Sequence, residues 1–384
     1  MITTREVARI AAETGFRSDI VEKVLRLTGI LDRLDRHEVT QGTWLLKGGT
    51  ALNLLHLDVP RLSVDIDINF VGSPDVDAMR GARPAFERAL TACCEREGCT
   101  VRRSPSEHAG GKFRLRYPSV LGGTQNLEVD VNYVARVPLW GSLRVPVRFP
   151  PGSSLHVSTL TIEELAAGKF AALVQRAAAR DAFDAASLLD LHHDLLERPS
   201  FRIAFVCSAA TSRTDARELR LRQPILGALA YERDLEPLLR ARPETQGGDP
   251  KDVPRWIEDR ITPAVERVLS WSATERRFLD RLLDEGAIEA ELLHDHPEVQ
   301  ARIRAQPMLQ WAVGMTTTRR TLAQAAASFI APTTAASSSS SSGTSARARA
   351  SDARSPSVSP AGRGPSSRAA SGAGSTRVLA VRAE

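Results

Sequence analysis

Only four cysteines occur in the 384 residues, Cys93, Cys94, Cys99 and Cys207. No C-x-x-C pair is present, and CCEREGC fits no usual zinc spacing, so reduced thiols are expected in place of a disulfide framework or a zinc site. No apolar run approaches the roughly 18 residues a membrane span needs. The opening MITTREVARIAAETG lacks the apolar stretch of a signal peptide. Together these absences lead us to expect a cytoplasmic protein with no membrane partner. Internal repeats are missing too. So is any excess of one charge on the body of the chain. Residues 331–384 hold seven arginines, one aspartate and one glutamate, which matches the whole chain's +5. The remainder is balanced, and the pI of 9.3 gives no argument that the body binds nucleic acid.

What is present reads as an α+β protein: a small mixed sheet flanked by helices, a largely helical C-terminal half and a tail. Apolar residues recur at helical spacing through residues 1–40, for example Ile20, Val24, Leu27, Leu31 and Leu34. Residues 44–70 predict a short strand, a Gly-Gly turn, a helix from about Thr50 to Leu57 and a second strand. Another helix is expected from Pro84 to Arg96. In KFRLRYPSVLGGTQNLEVDVNYV, Phe113, Leu115 and Tyr117 alternate with arginines, and Leu127, Val129, Val131 and Tyr133 alternate with polar residues. Gly122-Gly123 lies between, which predicts a hairpin. From Thr161 to about Arg320 nearly everything reads as helix, with Thr161 and Glu164 at capping-box spacing and RPETQGGDPKDVP as a loop. The expected segments are 1–40 helical, 41–155 the core, 156–330 a helical domain and 331–384 a low-complexity basic tail, disordered by composition.

Chemistry concentrates in the second strand. In SVDIDINF, Val64, Ile66, Ile68 and Phe70 take one face and Asp65, Asp67 and Asn69 the other. Two carboxylates on residues whose Cα atoms are about 6.5–7 Å apart repel unless a cation or a shared proton lies between them. Asp130 repeats the pattern on the polar face of the hairpin's second strand, with Glu128 as an alternative on the same face. If the two strands are neighbours, the three carboxylates form an oxygen donor set suited to Mg²⁺ or Mn²⁺. Gly48-Gly49-Thr50, between a strand and a helix, lets backbone N–H groups approach an anion closely.

The run Lys47-Gly48-Gly49-Thr50-Ala51-Leu52, followed by Arg61-Leu62-Ser63-Val64-Asp65-Ile66-Asp67, resembles the first motif of the AbiEii/AbiGii-type nucleotidyltransferase toxins. These include the MenT toxins and belong to the DNA polymerase β-like nucleotidyltransferase superfamily. The resemblance implies that Asp65, Asp67 and Asp130 hold catalytic metals and that Gly48, Gly49 and Ser63 line a triphosphate site, with Thr50 beside them. A second match falls on Lys169, Arg176, Arg180, Asp181 and Asp184. On one continuous helix, Lys169, Arg176, Arg180 and Asp184 would share a stripe, with Asp181 about a third of a turn away. In the family a new helix can start here and re-aim Asp181, and the alanines before Arg180 do not decide between the two. Lys169, Arg176 and Arg180 are candidates for the triphosphate, and Asp181 or Asp184 for a base or a structural orienter. The resemblance spans roughly residues 10–200.

The resulting expectation is an enzyme that moves a nucleoside monophosphate from an NTP to an acceptor hydroxyl, the tRNA 3′ end in relatives of the MenT type, as a toxin with a cognate antitoxin. The alternatives are a protein or small-molecule acceptor, or a nucleotide-binding module without turnover. TSRTDARELRLRQ, with arginines from Arg213 to Arg222, is a candidate RNA groove. His192-His193 point about 100° apart on a helix and make a poor metal pair. Trp256, Trp271 and Trp311 are spaced for core or groove positions, not for base stacking.

Overall fold

Thr3 opens the first helix by accepting the Glu6 N–H on its hydroxyl, and Gly15, at φ 74°, closes it. This helix, α1 (Thr4–Thr14), leads into α2 (Ser18–Arg36), whose Ile, Val and Leu stripe is buried. The structure is a computed structural model that describes residues 2–103, 110–221, 230–240 and 253–330. The expected loop at 242–254 lies outside them, apart from Val253 and Pro254. The expected tail lies wholly outside.

Among the described residues, seven strands form one mixed sheet: β1 (Trp44–Lys47), β2 (Asp65–Phe70), β3 (Thr100–Arg103), β4 (Gly110–Pro118), β5 (Thr124–Asn132), β6 (Ser142–Pro146) and β7 (His156–Leu160). Their order is β3-β4-β5-β2-β1-β7-β6. The predicted hairpin is β4–β5, antiparallel from Gly110↔Asn132 to Pro118↔Thr124. β2 lies parallel to β5 and antiparallel to β1. β7 joins the sheet beside β1, so the sheet continues past the boundary expected at residue 155.

One face of the sheet is apolar. Phe70 and Tyr133 on this face meet Phe86 of α4 (Val76–Arg96) with ring centroids 5.2–6.4 Å apart. Such edge contacts add about 0.5–1.5 kcal/mol each beyond burial. α4 starts well before the expected Pro84. Asp75 caps it by accepting the Asp77 and Ala78 N–H groups, and this cap leaves the proline inside the helix. α2 also covers this face: its Arg26 lies 4.2 Å over the Tyr117 ring and pairs with buried Glu22.

The helical half begins with α5 (Ile162–Arg176), α6 (Ala179–Leu191) and α7 (Pro199–Ala210), then α8 (Val253–Val268), α9 (Ala273–Asp280), α10 (Pro297–Arg304) and α11 (Pro307–Ile330). Thr161 caps α5, accepting the Glu164 N–H, but the capping box is only half built. The Glu164 carboxylate instead accepts the Leu139 and Trp140 N–H groups at 2.9 Å each, pinning the loop before β6. All four cysteines are free and buried. Trp256 and Trp271 pack against Phe183 and Phe205, whereas Trp311 is 55% exposed. No described helix is long and apolar enough to cross a membrane.

Candidate active site

Pairing of β2 with β5 decides what the acidic residues can do. Asp67 stands directly opposite Asp130, and Asp65 opposite Glu128, with adjacent strands about 4.8 Å apart. Lys47 faces Asp67 from β1 and Lys112 faces Asp130 from β4. One row across four strands therefore reads Lys47, Asp67, Asp130, Lys112. Burial raises the Asp65 carboxyl above the usual carboxylate range; Arg180 opposes the rise and Asp67 adds to it. Asp130 is also raised, first by burial, with Lys47 opposing and Asp67 reinforcing.

The glycine pair opens a short helix, Gly48–Ala51, which runs directly into a π-helical turn, Leu52–His56. The glycines thus form its first turn, and no separate turn precedes the helix. Gly48 has φ 70°, and a Cβ there would fall inside van der Waals contact with Asp67 Oδ2. Only glycine combines this backbone with this approach. Gly48→Ala should cost about 1–2 kcal/mol in stability from the left-handed backbone. It should also push the Asp67 carboxylate aside, so turnover falls well beyond the change in melting temperature. Paired kinetics and thermal melts check this.

Behind Gly49 lies a buried ionic knot. A Cβ on Gly49 would sit 2.8 Å from Arg61 Nη2 and 3.2 Å from Ser63 Oγ. Arg61 donates from Nε and Nη2 to the two oxygens of Asp184, both at 2.7 Å. Asn53 donates to the same carboxylate at 2.9 Å, and Lys169 Nζ stands 2.9 Å from it. Lys169 also donates to Asp181 at 2.8 Å, and Arg176 grips Asp181 through Nε and Nη2. Arg61, Lys169, Asp181 and Asp184 are all buried. Lys169 is therefore not a solvated helix residue. The chain breaks at Ala177, φ 49°, and α6 restarts at Ala179. The single stripe from Lys169 to Asp184 does not form, and Asp181 turns in to meet both Lys169 and Arg176. Arg180 projects from α6 to within 3.5 Å of Asp65. Thr50 is fully buried and donates its hydroxyl to the Asp65 carbonyl, so it secures β2 and does not face the cleft.

Burial alone would raise the Asp184 carboxyl, but Arg61 and Lys169 outweigh it and hold it far below the usual range. Asp181 is lowered too: burial raises it, while Lys169 and then Arg176 pull it down further. A depressed folded value stabilises the protein above the ordinary carboxylate pKa of about 3.9 and is lost as pH falls through the folded value. Acid unfolding of the wild type should therefore be steep below about pH 4. In Asp184→Asn that slope should be shallower, as urea midpoints measured against pH would record.

Among the described residues, no three Asp, Glu, His or Cys side chains stand as a ready-made metal group. The donor set nevertheless suits a hard divalent cation. It is all oxygen, two of its carboxylates face each other across adjacent strands, and burial, reinforced by the charge of Asp67, raises Asp65 and Asp130. Sequence reading had not picked out Lys47, Asn53, Arg61 or Lys112 as site residues. Lys47 and Arg61 stand inside the quoted motifs, and Lys112 alternates in step with Arg114. Asn53 gives no sequence signal. Within the candidate arginine groove, Arg217 is held by Asp215, Asp280 and Asp284, Arg220 donates to neighbouring carbonyls, Arg213 is exposed, and Arg222 lies outside the described residues.

A mixed sheet presenting paired carboxylates beside a glycine-opened helix is the framework of a nucleotidyltransferase. A family model described as "Nucleotidyl transferase AbiEii toxin, Type IV TA system" matches residues 30–270. That is more than half of the chain, and the chain belongs to this family. It is a nucleotidyltransferase toxin of a type IV toxin-antitoxin system, which takes an NTP and has a cognate antitoxin. Among solved structures, it is similar to MenT4, a nucleotidyltransferase toxin from Mycobacterium tuberculosis H37Rv. The match has 20% identity and a TM-score of 0.48, and covers 80% of this chain and 99% of that one. No curated protein gives a significant match.

Proposed function

We propose that the enzyme transfers a nucleoside monophosphate from an NTP to the 3′ hydroxyl of tRNA, releasing pyrophosphate. The observation that carries this reading is the Asp67–Asp130 pair, with Asp65 one row away and Gly48 packed against Asp67. Asp65, Asp67 and Asp130 would hold Mg²⁺ or Mn²⁺, which when bound supplies a Lewis acid at the α-phosphate and lowers the pKa of the acceptor hydroxyl. The Gly48 and Gly49 N–H groups and the Ser63 hydroxyl receive the triphosphate oxygens. Arg176, whose side chain is 66% exposed, and Arg180 balance the charge of the leaving pyrophosphate. Lys169 holds Asp181 and Asp184 from beneath, and Asp181 in turn aims Arg176. Both aspartates are tied into ion pairs that favour the ionised form, so they act as orienters and not as the base.

In the reaction the acceptor O–H bond breaks, its proton passing to solvent, as the oxygen bonds to the α-phosphorus. The bond to the β-phosphate oxygen breaks, and pyrophosphate leaves with the charge that the arginines face. Pyrophosphate release, measured with each NTP with and without unfractionated tRNA, tests the reading. Release that requires both one NTP and tRNA is expected. Release that ignores tRNA but follows an added protein or small-molecule acceptor would contradict it.

A further inference from the structure

The site lies in the middle of the sheet, on β2 and β5, and on one side of it the polar face continues outward over β4 and β3. Cross-strand register sets what it displays. The row through Asp65 continues as Glu128, Arg114 and Arg102. The row through Asp67 and Asp130 reaches Lys112. The next row outward is Asn126, Arg116 and Thr100. Arg103 belongs to the opposite face, beside Glu87 and Phe113.

Among the described residues, the half-face thus carries Lys112, Arg114, Arg116 and Arg102, with Glu128 as its one carboxylate outside the acid site. Glu128 sits between Lys112 at 2.8 Å and Arg114 at 3.4 Å. Arg102, Arg114 and Arg116 are exposed. Arg102 and Arg116 have no ion pair within 4.0 Å among the described residues. In a body whose charges balance, four cations against one carboxylate make a local positive field that starts at the acidic pair and runs to the sheet edge. Lys112, Arg114 and Arg116 follow one another about 6.8 Å apart along β4. On the other side of the acids, α3 (Gly48–Ala51), α5 and α6 close over the buried knot.

We propose that this strip is the track for the acceptor's phosphate backbone, which leads a single-stranded 3′ end across β3 and β4 to the acid pair. The proposal rests on the reading of the enzyme as an RNA nucleotidyltransferase. The strip would repel a cationic small-molecule acceptor. A polynucleotide gains one phosphate contact after another along it, and such contacts position the strand without reading sequence.

The test uses the full-length protein, Arg102→Gln/Arg114→Gln/Arg116→Gln, and a matching triple Arg→Lys variant. All three side chains are exposed, and glutamine keeps length and polarity, so thermal melting should be unchanged. With unfractionated tRNA, the glutamine variant should raise the acceptor KM by about 10- to 100-fold while the NTP KM and the rate at saturating tRNA stay close to wild type. Fluorescence anisotropy of a labelled single-stranded RNA should give a salt dependence shallower by about 2 in log K against log salt, from about 0.7 per lost contact. The lysine variant should recover most of the affinity, because a point charge still meets a phosphate.

If the wild type extends tRNA and the glutamine variant matches it in KM and salt slope, the strip is refuted and the functional reading stands. If the wild type neither binds nor extends RNA, the functional reading fails and the strip with it. If the glutamine variant keeps its RNA affinity but loses the purified cognate antitoxin, the strip is a protein contact and the RNA track is overturned.

Discussion

Asp67→Asn should lower nucleotide transfer by about three orders of magnitude or more and abolish toxicity, with the melting temperature unchanged or slightly raised. The two effects come from one geometry. Asp67 stands between Lys47 and Asp130 in its row and one row from Asp65, so its charge adds to the repulsion among neighbouring acids. Asparagine keeps the shape and relieves the repulsion in metal-free buffer. It also removes one charged oxygen donor where the reaction gathers negative charge, and losses of that kind are large. The measurement is initial transfer rate beside a thermal melt. Near-wild-type turnover would remove β2 from the chemistry.

Arg61→Ala should produce the second large effect, this time on stability. Asp184 is fully buried, and Arg61 supplies two of the hydrogen bonds to it. Removing one partner of a buried ion pair leaves the other uncompensated and costs about 3–5 kcal/mol. Lys169 and Asn53 remain beside Asp184, which favours the lower part of that range. Because Gly49 packs closely against the Arg61 guanidinium, activity should fall as well. Arg61→Lys should recover only part of either loss, since an ammonium cannot reproduce the two-pronged contact. Urea unfolding reads the stability term, and a loss under about 0.5 kcal/mol would show that the knot is not what anchors α6 to β2.

Features written in short periodic patterns were legible in the sequence. The β4–β5 hairpin followed from alternation around Gly122-Gly123, and the polar face of β2 followed from Asp65 and Asp67 two residues apart. The register of β2 against β5 was not in any local pattern, because it joins residues more than sixty positions apart. β6 and β7 were missed for a similar reason. Each is five residues long, β6 ends in Pro146, and β7 gains its place by pairing with β1 across the chain. The Arg61–Asp184 contact spans 123 positions, and its residue types look like ordinary surface charges until burial is known. The same limit hid the pairing of Arg217, within the candidate RNA groove: its carboxylate partners are Asp215, Asp280 and Asp284, the last two in a helical segment far along the chain. Arg114 and Arg116 were visible as alternating arginines, but their place beside the acids depended on which strand β5 chose as its other neighbour.

Mapping the label left by α-³²P-NTPs on unfractionated tRNA, with wild type and Asp67→Asn run side by side, tests the central claim most directly. The account predicts label joined to the tRNA 3′ end for at least one NTP, dependent on divalent cation and absent with Asp67→Asn. Label on protein or on a small molecule with the tRNA left bare, or 3′ label undiminished in Asp67→Asn, would contradict it.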